Sequence, residues 1–153
     1  MPNFEIRDLS IPDFHKHAVV NQQVIEAIDS GLTSFNASTQ PDPNASPLLL
    51  SIYDGSEEVC AGLTGRSAYD WLRIDVLWVS DGLRGEGYGA ALLARAEHIA
   101  MERGCRGVHL DTHGFQAPDF YLRFGYEVFG SLPDYPTGYG HYFLKKHLIP
   151  DPS

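Results

Sequence analysis

The chain has 153 residues, 43% of them hydrophobic and 20% charged, with a formal net charge of −9, an ordinary globular composition that argues against wholesale disorder and suits one domain over residues 1–153. No segment approaches the ~18 consecutive apolar residues of a membrane span, and Met1–Arg7 lacks the basic-then-apolar order of a secretory signal. The acidic balance opposes nucleic-acid binding, which needs a basic face, and Cys60 and Cys105, without CxxC spacing, read as buried free thiols of a cytoplasmic protein.

In chain order, Phe4–Leu9 alternates apolar and polar residues as a half-buried strand does. Helix-start chemistry at Ser10–Asp13 precedes a helical pattern through Val20, Val24, Ile25 and Ile28 that Gly31 is expected to stop. Residues 33–47, with three prolines, read as a surface loop. Leu48–Tyr53 and Glu58–Leu63 flank the turn signal Asp54-Gly55-Ser56-Glu57 and form a hairpin. Trp71–Val79 adds a third strand, with Leu72, Ile74, Val76 and Trp78 expected on one face. A helical stripe (Leu92, Leu93, Ala96, Ile99, Ala100) ends at Arg103-Gly104. Strands are then expected at Gly107–Thr112, Tyr126–Phe129 and His141–His147, with a short helix over Ala117–Phe124 and a Gly-, Pro- and Tyr-rich loop over residues 130–140. The order β-α-β-β-β-α-β-α-β-β predicts an α/β (α+β) domain: a mixed, mainly antiparallel sheet of about seven strands flanked by helices.

Between the third strand of that meander and the second long helix lies Arg84-Gly85-Glu86-Gly87-Tyr88-Gly89, followed by Ala90. Alternate glycines leave backbone N–H groups uncovered. The unpaired amides that begin a helix carry partial positive charge and attract phosphate. Arg84 adds a full charge at the edge of the loop. A pyrophosphate-bearing ligand is expected here.

Two segments together resemble the GNAT superfamily of acyl-CoA-dependent N-acetyltransferases. Val79-Ser80-Asp81-Gly82-Leu83-Arg84-Gly85-Glu86-Gly87-Tyr88-Gly89-Ala90 is similar to its strand, R/Q-x-x-G-x-G/A loop and helix. Ala117-Pro118-Asp119-Phe120-Tyr121-Leu122-Arg123-Phe124-Gly125-Tyr126 is similar to its A-x-x-x-Y-x-x-x-G-F/Y segment. The likeness runs from about residue 4 to residue 148. The family's Asn before the second motif has no counterpart in His113-Gly114-Phe115-Gln116.

The resemblance implies acetyl-CoA as co-substrate, with its pyrophosphate on the amides of Arg84, Gly85, Glu86, Gly87, Tyr88, Gly89 and Ala90. Pantetheine would lie beside the strand end, against backbone groups near Leu77 and Val79, in a slot opened by a β-bulge. Tyr121 becomes the candidate general acid for the departing thiolate. Asp75 becomes the candidate general base for a primary amine of a small-molecule or peptide acceptor, with Glu57 and Glu58 as outside candidates. The loop Pro133–Tyr139 would wall the acceptor pocket, and a homodimer is compatible with the family.

Three competing readings carry less. His109, Asp111 and His113 share a strand face and could in principle ligate a metal, but the resemblance requires none. Gly85-x-Gly87-x-x-Ala90 formally matches a dinucleotide fingerprint, with Asp111 about 20 residues further on. Ser80–Arg84, however, intervene between strand and glycines, and too little chain remains for an oxidoreductase. A catalytically silent acyl-CoA sensor would share the fold, and the tyrosine at position 121 argues against it.

Overall fold

The computed structural model describes residues 18–116 and 118–149, with side chains from residue 22 onward. Two compact units are distinguished, Met1–Pro41 and Asp42–Ser153. In the first, helix α1 spans Ala18–Asn36. It runs through Gly31, where a stop was expected, and takes in the start of the expected loop. An interior glycine costs only about 1 kcal/mol relative to alanine. The stripe of Ile25, Ile28, Leu32 and Phe35 continues at helical spacing past it, and Thr33 Oγ1 donates to the Asp29 carbonyl at 2.9 Å within the helix. The expected strand over residues 4–9 lies outside the described residues.

The second unit is built on six strands: β1 (Ser46–Tyr53), β2 (Val59–Ala68), β3 (Trp71–Val79), β4 (Gly107–His113), β5 (Glu127–Leu132) and β6 (His141–His147). Their order in the sheet is β1-β2-β3-β4-β6-β5, and every neighbouring pair is antiparallel except β3–β4. Helices α2 (Tyr88–Glu102) and α3 (Pro118–Arg123) complete the unit. The mixed, mainly antiparallel sheet is the expected one, with six strands among the described residues.

The β1–β2 turn follows its sequence. Asp54 Oδ1 accepts from the amides of Ser56 and Glu58 at 2.7 and 3.0 Å, an Asx-type turn that also places Glu57 at φ 59°. Strand β2 outlasts the apolar run Val59–Leu63 and continues through Gly65 and Ser67, whose buried hydroxyl accepts from Arg103 Nη1 at 3.1 Å. A Cβ on Gly65 would collide with the Arg73 carbonyl of β3.

The core lies on one face of the sheet. Leu63, Leu72, Ile74, Val108, Leu110 and Leu144 are buried there against Leu92, Leu93, Ala96 and Ala100 of α2. On β3 this alternation breaks once. The β2–β3 register steps from Gly65↔Ile74 to Thr64↔Val76, which leaves Asp75 as an extra, bulged residue. Beyond it the faces exchange: Leu77 and Val79 pack on the core, while Val76 and Trp78 are exposed. The expected single face Leu72/Ile74/Val76/Trp78 is therefore corrected. One inserted residue in a period-two strand inverts every side chain after it.

Candidate active site

The bulge coincides with a parting of strands. β3 and β4 pair in parallel only at Trp71↔Gly107, Leu72↔Val108 and Arg73↔His109. From there β3 follows β2 to Ala61↔Val79, while β4 follows β6 to His113↔His141. The sheet opens between residues 74–79 and 110–113, at the end where β3 feeds the glycine loop.

A 3-10 turn, Asp81–Leu83, carries the chain out of β3 before the glycines begin. Gly85 and Gly87 sit at φ 82° and 89°, in left-handed backbone that glycine adopts without strain. Gly89 is favoured for a different reason: a Cβ there would stand 3.3 Å from the Phe120 ring, which would have to give by a few tenths of an ångström. Gly87 is the N-cap of α2 and, having no side chain, makes no cap hydrogen bond. The first intrahelical bond at this end is Ala91 N–H to the Gly87 carbonyl, 3.0 Å, so the amides of Tyr88, Gly89 and Ala90 have no acceptor in the preceding helical turn. Glu86 is exposed in the turn; Tyr88, Gly89 and Ala90 are half-buried. Arg84 reaches back across the loop, donating Nε to the Val79 carbonyl at 3.2 Å and Nη2 to Asp81 at 3.0 Å, with 66% of its side chain exposed. The turn between strand and glycines also removes the tight strand-to-helix entry that a dinucleotide fingerprint requires.

Tyr121 lies on the core side of the sheet. Its ring is half-buried against the core, edge-on to Phe120 (5.1 Å) and Tyr126 (5.7 Å). Burial pushes its phenol above the ordinary tyrosine value, so it stays protonated at neutral pH. Gly125, at φ 88°, ends α3, and Tyr126 then donates its hydroxyl to Glu97 Oε1 of α2 at 3.0 Å; Glu97 Oε2 accepts from Lys146 Nζ of β6 at 2.9 Å. This bridge fixes the segment carrying Tyr121 to both α2 and the sheet. Ala117, the first residue of that motif, lies outside the described residues.

The opposite sheet face carries the charge. Asp75, at the bulge, accepts from Arg73 Nε at 2.9 Å. Arg73 Nη2 also donates to Asp111 Oδ1 at 2.9 Å, and Asp111 Oδ2 is 3.0 Å from His141 Nε2. His141 Nδ1 is 3.1 Å from His113 Nδ1, which is 2.9 Å from the Tyr135 carbonyl. His141 is buried at 6% exposure between Tyr135 and Phe143. Sequence spacing placed His109, Asp111 and His113 on one face but missed His141 and Arg73 as their partners. Only the β4–β6 and β3–β4 registers bring those together, and no short-range spacing encodes them. Glu57 and Glu58 stay in the β1–β2 turn. Among the described residues no group of three or more His, Cys, Asp or Glu side chains is arranged to hold a metal, and no helix is long and apolar enough to cross a membrane. Cys60 and Cys105 are both buried free thiols.

The family model described as acetyltransferase (GNAT) family matches residues 7–126. The chain is 48% identical over 92 residues to the blasticidin-S acetyltransferase of Streptomyces morookaense, covering 60% of this chain and 68% of that protein. A crystal structure of an acetyltransferase from Bacillus cereus superposes with a TM-score of 0.76 at 35% identity, over 80% of this chain and 90% of that one. A Bacillus anthracis structure in complex with acetyl coenzyme A shares the fold at a TM-score of 0.60 and 17% identity, over 72% of this chain and 65% of that one. With a sheet that parts beside an uncapped, glycine-led helix and a family match across most of its length, the chain belongs to the GNAT family of acetyltransferases and is an acyltransferase enzyme.

Proposed function

We propose that the protein transfers the acetyl group of acetyl-CoA to the primary amine of a small molecule. The observation that carries this reading is a coincidence of place: the uncapped start of α2 and the parting of β3 from β4 lie at the same end of the sheet. A pyrophosphate on the amides around Gly87–Ala90, with Arg84 at the rim, directs the rest of the donor into the opening. There, backbone groups near Leu77 and Val79 pair with pantetheine as an added strand would, and the irregular backbone at Asp75 polarises the thioester carbonyl.

The chemistry is a direct displacement. The amine lone pair bonds to the carbonyl carbon, the carbon–sulfur bond breaks, and the sulfur leaves as thiolate. The acceptor sheds its ammonium proton before attack, and its nitrogen gives up a second proton to a base or water as the amide forms. Tyr121, protonated and on the core side, hydrogen-bonds and protonates the sulfur and is itself reprotonated from solvent, giving free CoA and an amide. Of the expected roles, that of Asp75 as base has the least support, because its Oδ1 is already engaged by Arg73. Its exposed carboxylate, in an acidic molecule, serves instead to draw in the acceptor as an ammonium ion. On that sheet face stand Phe115, Tyr135 and Tyr139, each about half exposed, aromatic surface suited to lining an acceptor pocket. The family match runs through both compact units, which supports reading them as one acetyltransferase domain.

Isothermal calorimetry with CoA and acetyl-CoA tests the donor, and a thiol-release assay over a panel of amines, led by blasticidin S because of the relative named for it, tests the acceptor. Heat of binding with acetyl-CoA and amine-dependent thiol release are expected. Absence of binding to the folded protein removes the donor assignment.

A further inference from the structure

The polar chain on the far side of the sheet has a direction. The Tyr135 carbonyl can only accept, so the His113 Nδ1 that faces it at 2.9 Å carries a proton. The same Nδ1 lies 3.1 Å from His141 Nδ1, and two N–H groups cannot point at each other across that distance. His141 Nδ1 is therefore the bare nitrogen, and its proton sits on Nε2, donated to Asp111 Oδ2 at 3.0 Å. Asp111 is held in turn by Arg73. Each tautomer is assigned from the hydrogen-bond network. The outcome is that both nitrogens of buried His141 and the Nδ1 of His113 are used, and the nitrogen left to accept a proton is His113 Nε2.

From this geometry we infer that His113 is the general base that takes the acceptor amine's proton, with His141 and Asp111 as positioning residues behind it; the inference rests on the acetyl-transfer reading above. On gaining a proton at Nε2, His113 keeps both existing contacts, so no rearrangement is needed at the moment of reaction. The new cation is met by the lone pair of His141, itself polarised by the Asp111 carboxylate. His113 lies beyond the point where β4 leaves β3, on the face away from α2. Tyr121 packs with the core on the α2 face. Acid and base thus stand on opposite faces of the sheet, which keeps the group that takes the amine's proton apart from the one that gives a proton to the sulfur as the tetrahedral carbon forms and collapses. Half-buried His113 stacks on Phe115 (ring centroids 5.0 Å, interplanar 8°), and Tyr139 stands edge-on to Phe115 at 5.3 Å. That surround fixes the ring that must point Nε2 at the substrate.

The titratable groups facing His113 are His141 on β6 and Tyr135 in the loop before it; behind His141 stands Asp111 on β4, then Arg73 and Asp75 on β3, and Tyr139 lies beyond Phe115. The test uses full-length protein and the amine that turns over best. His113→Gln should lower kcat by about 10²- to 10³-fold and remove the enzyme's own limb from the rise of kcat/KM with pH, leaving only the limb that follows the amine's ionisation and an unchanged acetyl-CoA dissociation constant by calorimetry. Asp111→Asn should lower kcat by at least about tenfold with KM for acetyl-CoA unchanged, and Asp75→Asn should leave the pH-dependent rise in place. His113→Gln with full turnover and an intact rise, or Asp75→Asn without it, overturns the assignment. A second arm needs no variant. Diethyl pyrocarbonate on the wild type, mapped by peptide mass spectrometry, should modify His113, and turnover should fall with that modification while acetyl-CoA still binds. An unmodified His113, or a modified one with turnover intact, overturns it too. Failure of the underlying reading looks different: wild-type protein would then bind no acetyl-CoA or release no thiol with any amine.

Discussion

Burial acts on Tyr121 in one direction, holding its phenol in the protonated form and placing it among Phe120, Phe124 and Tyr126. A hydroxyl in that setting is a hydrogen-bond donor waiting for an acceptor, and a departing thiolate is a strong one. Tyr121→Phe keeps the ring and its packing, so it should lower kcat by about 10²-fold with acetyl-CoA affinity within about twofold of wild type. Stopped-time thiol release beside calorimetry reads both, and an unchanged kcat removes the tyrosine from the reaction. The glycines show why residue type alone understates a motif. Gly87 is favoured for its backbone angle and Gly89 for the nearness of Phe120, a ring brought there by another helix. The first need is written in the local sequence; the second is a tertiary fact.

Among the elements, β3 decides the site. Asp75 as an inserted residue turns Leu77 and Val79 toward the core and helps part the strand from β4. Its counterpart is Gly65 on β2, where the Arg73 carbonyl comes too close for any side chain. Gly65→Ala must push β3 away or shift the register, at a cost of about 1–3 kcal/mol, which thermal unfolding should show as a fall of several degrees. Acetyl-CoA affinity should fall as well, because the strand that moves is the one lining the opening. A variant as stable as the wild type would show that the bulge does not depend on this close approach. The Tyr126–Glu97–Lys146 bridge works at the same scale, tying the segment after α3 to α2 and β6 through hydrogen bonds of 3.0 and 2.9 Å.

For the molecule as a whole, the −9 charge is self-repulsive near neutral pH and is relieved by acid, whereas one half-buried imidazole on the polar sheet face works in the other direction. His109 packs edge-on to Trp71 (6.1 Å), and its pKa is lowered first by burial and then by the Arg73 cation, against the opposing pull of Asp111 and Asp75. Above the ordinary imidazole value of about 6.5, His109 is neutral in folded and unfolded chains alike and costs nothing. As pH falls through that value the unfolded chain takes up the proton first, and stability drops until the folded form also protonates at its lower value. The contribution of His109 to melting temperature should therefore decline between about pH 7.5 and 5, and His109→Gln should remove that decline from the pH profile. Parallel slopes for the two proteins would show that His109 does not contribute.

Local sequence determined much of this protein. The hairpin turn at Asp54, the strand Trp71–Val79, the stripe and glycine stop of α2, the last strand and the two family motifs all lie within short windows, where period, turn chemistry and helix entry act between near neighbours. The end of α1 was misread because a glycine punctuates a helix only weakly when the apolar stripe continues. The family resemblance implies a bulge and a slot at the end of Trp71–Val79; tertiary structure alone decided that the bulge falls at Asp75, with the face exchange after it, and that Arg73, Asp111, His113 and His141 meet. Those depend on register between strands up to 30 residues or more apart. Register is set by how whole faces bury against the core, a balance that no short stretch of sequence contains.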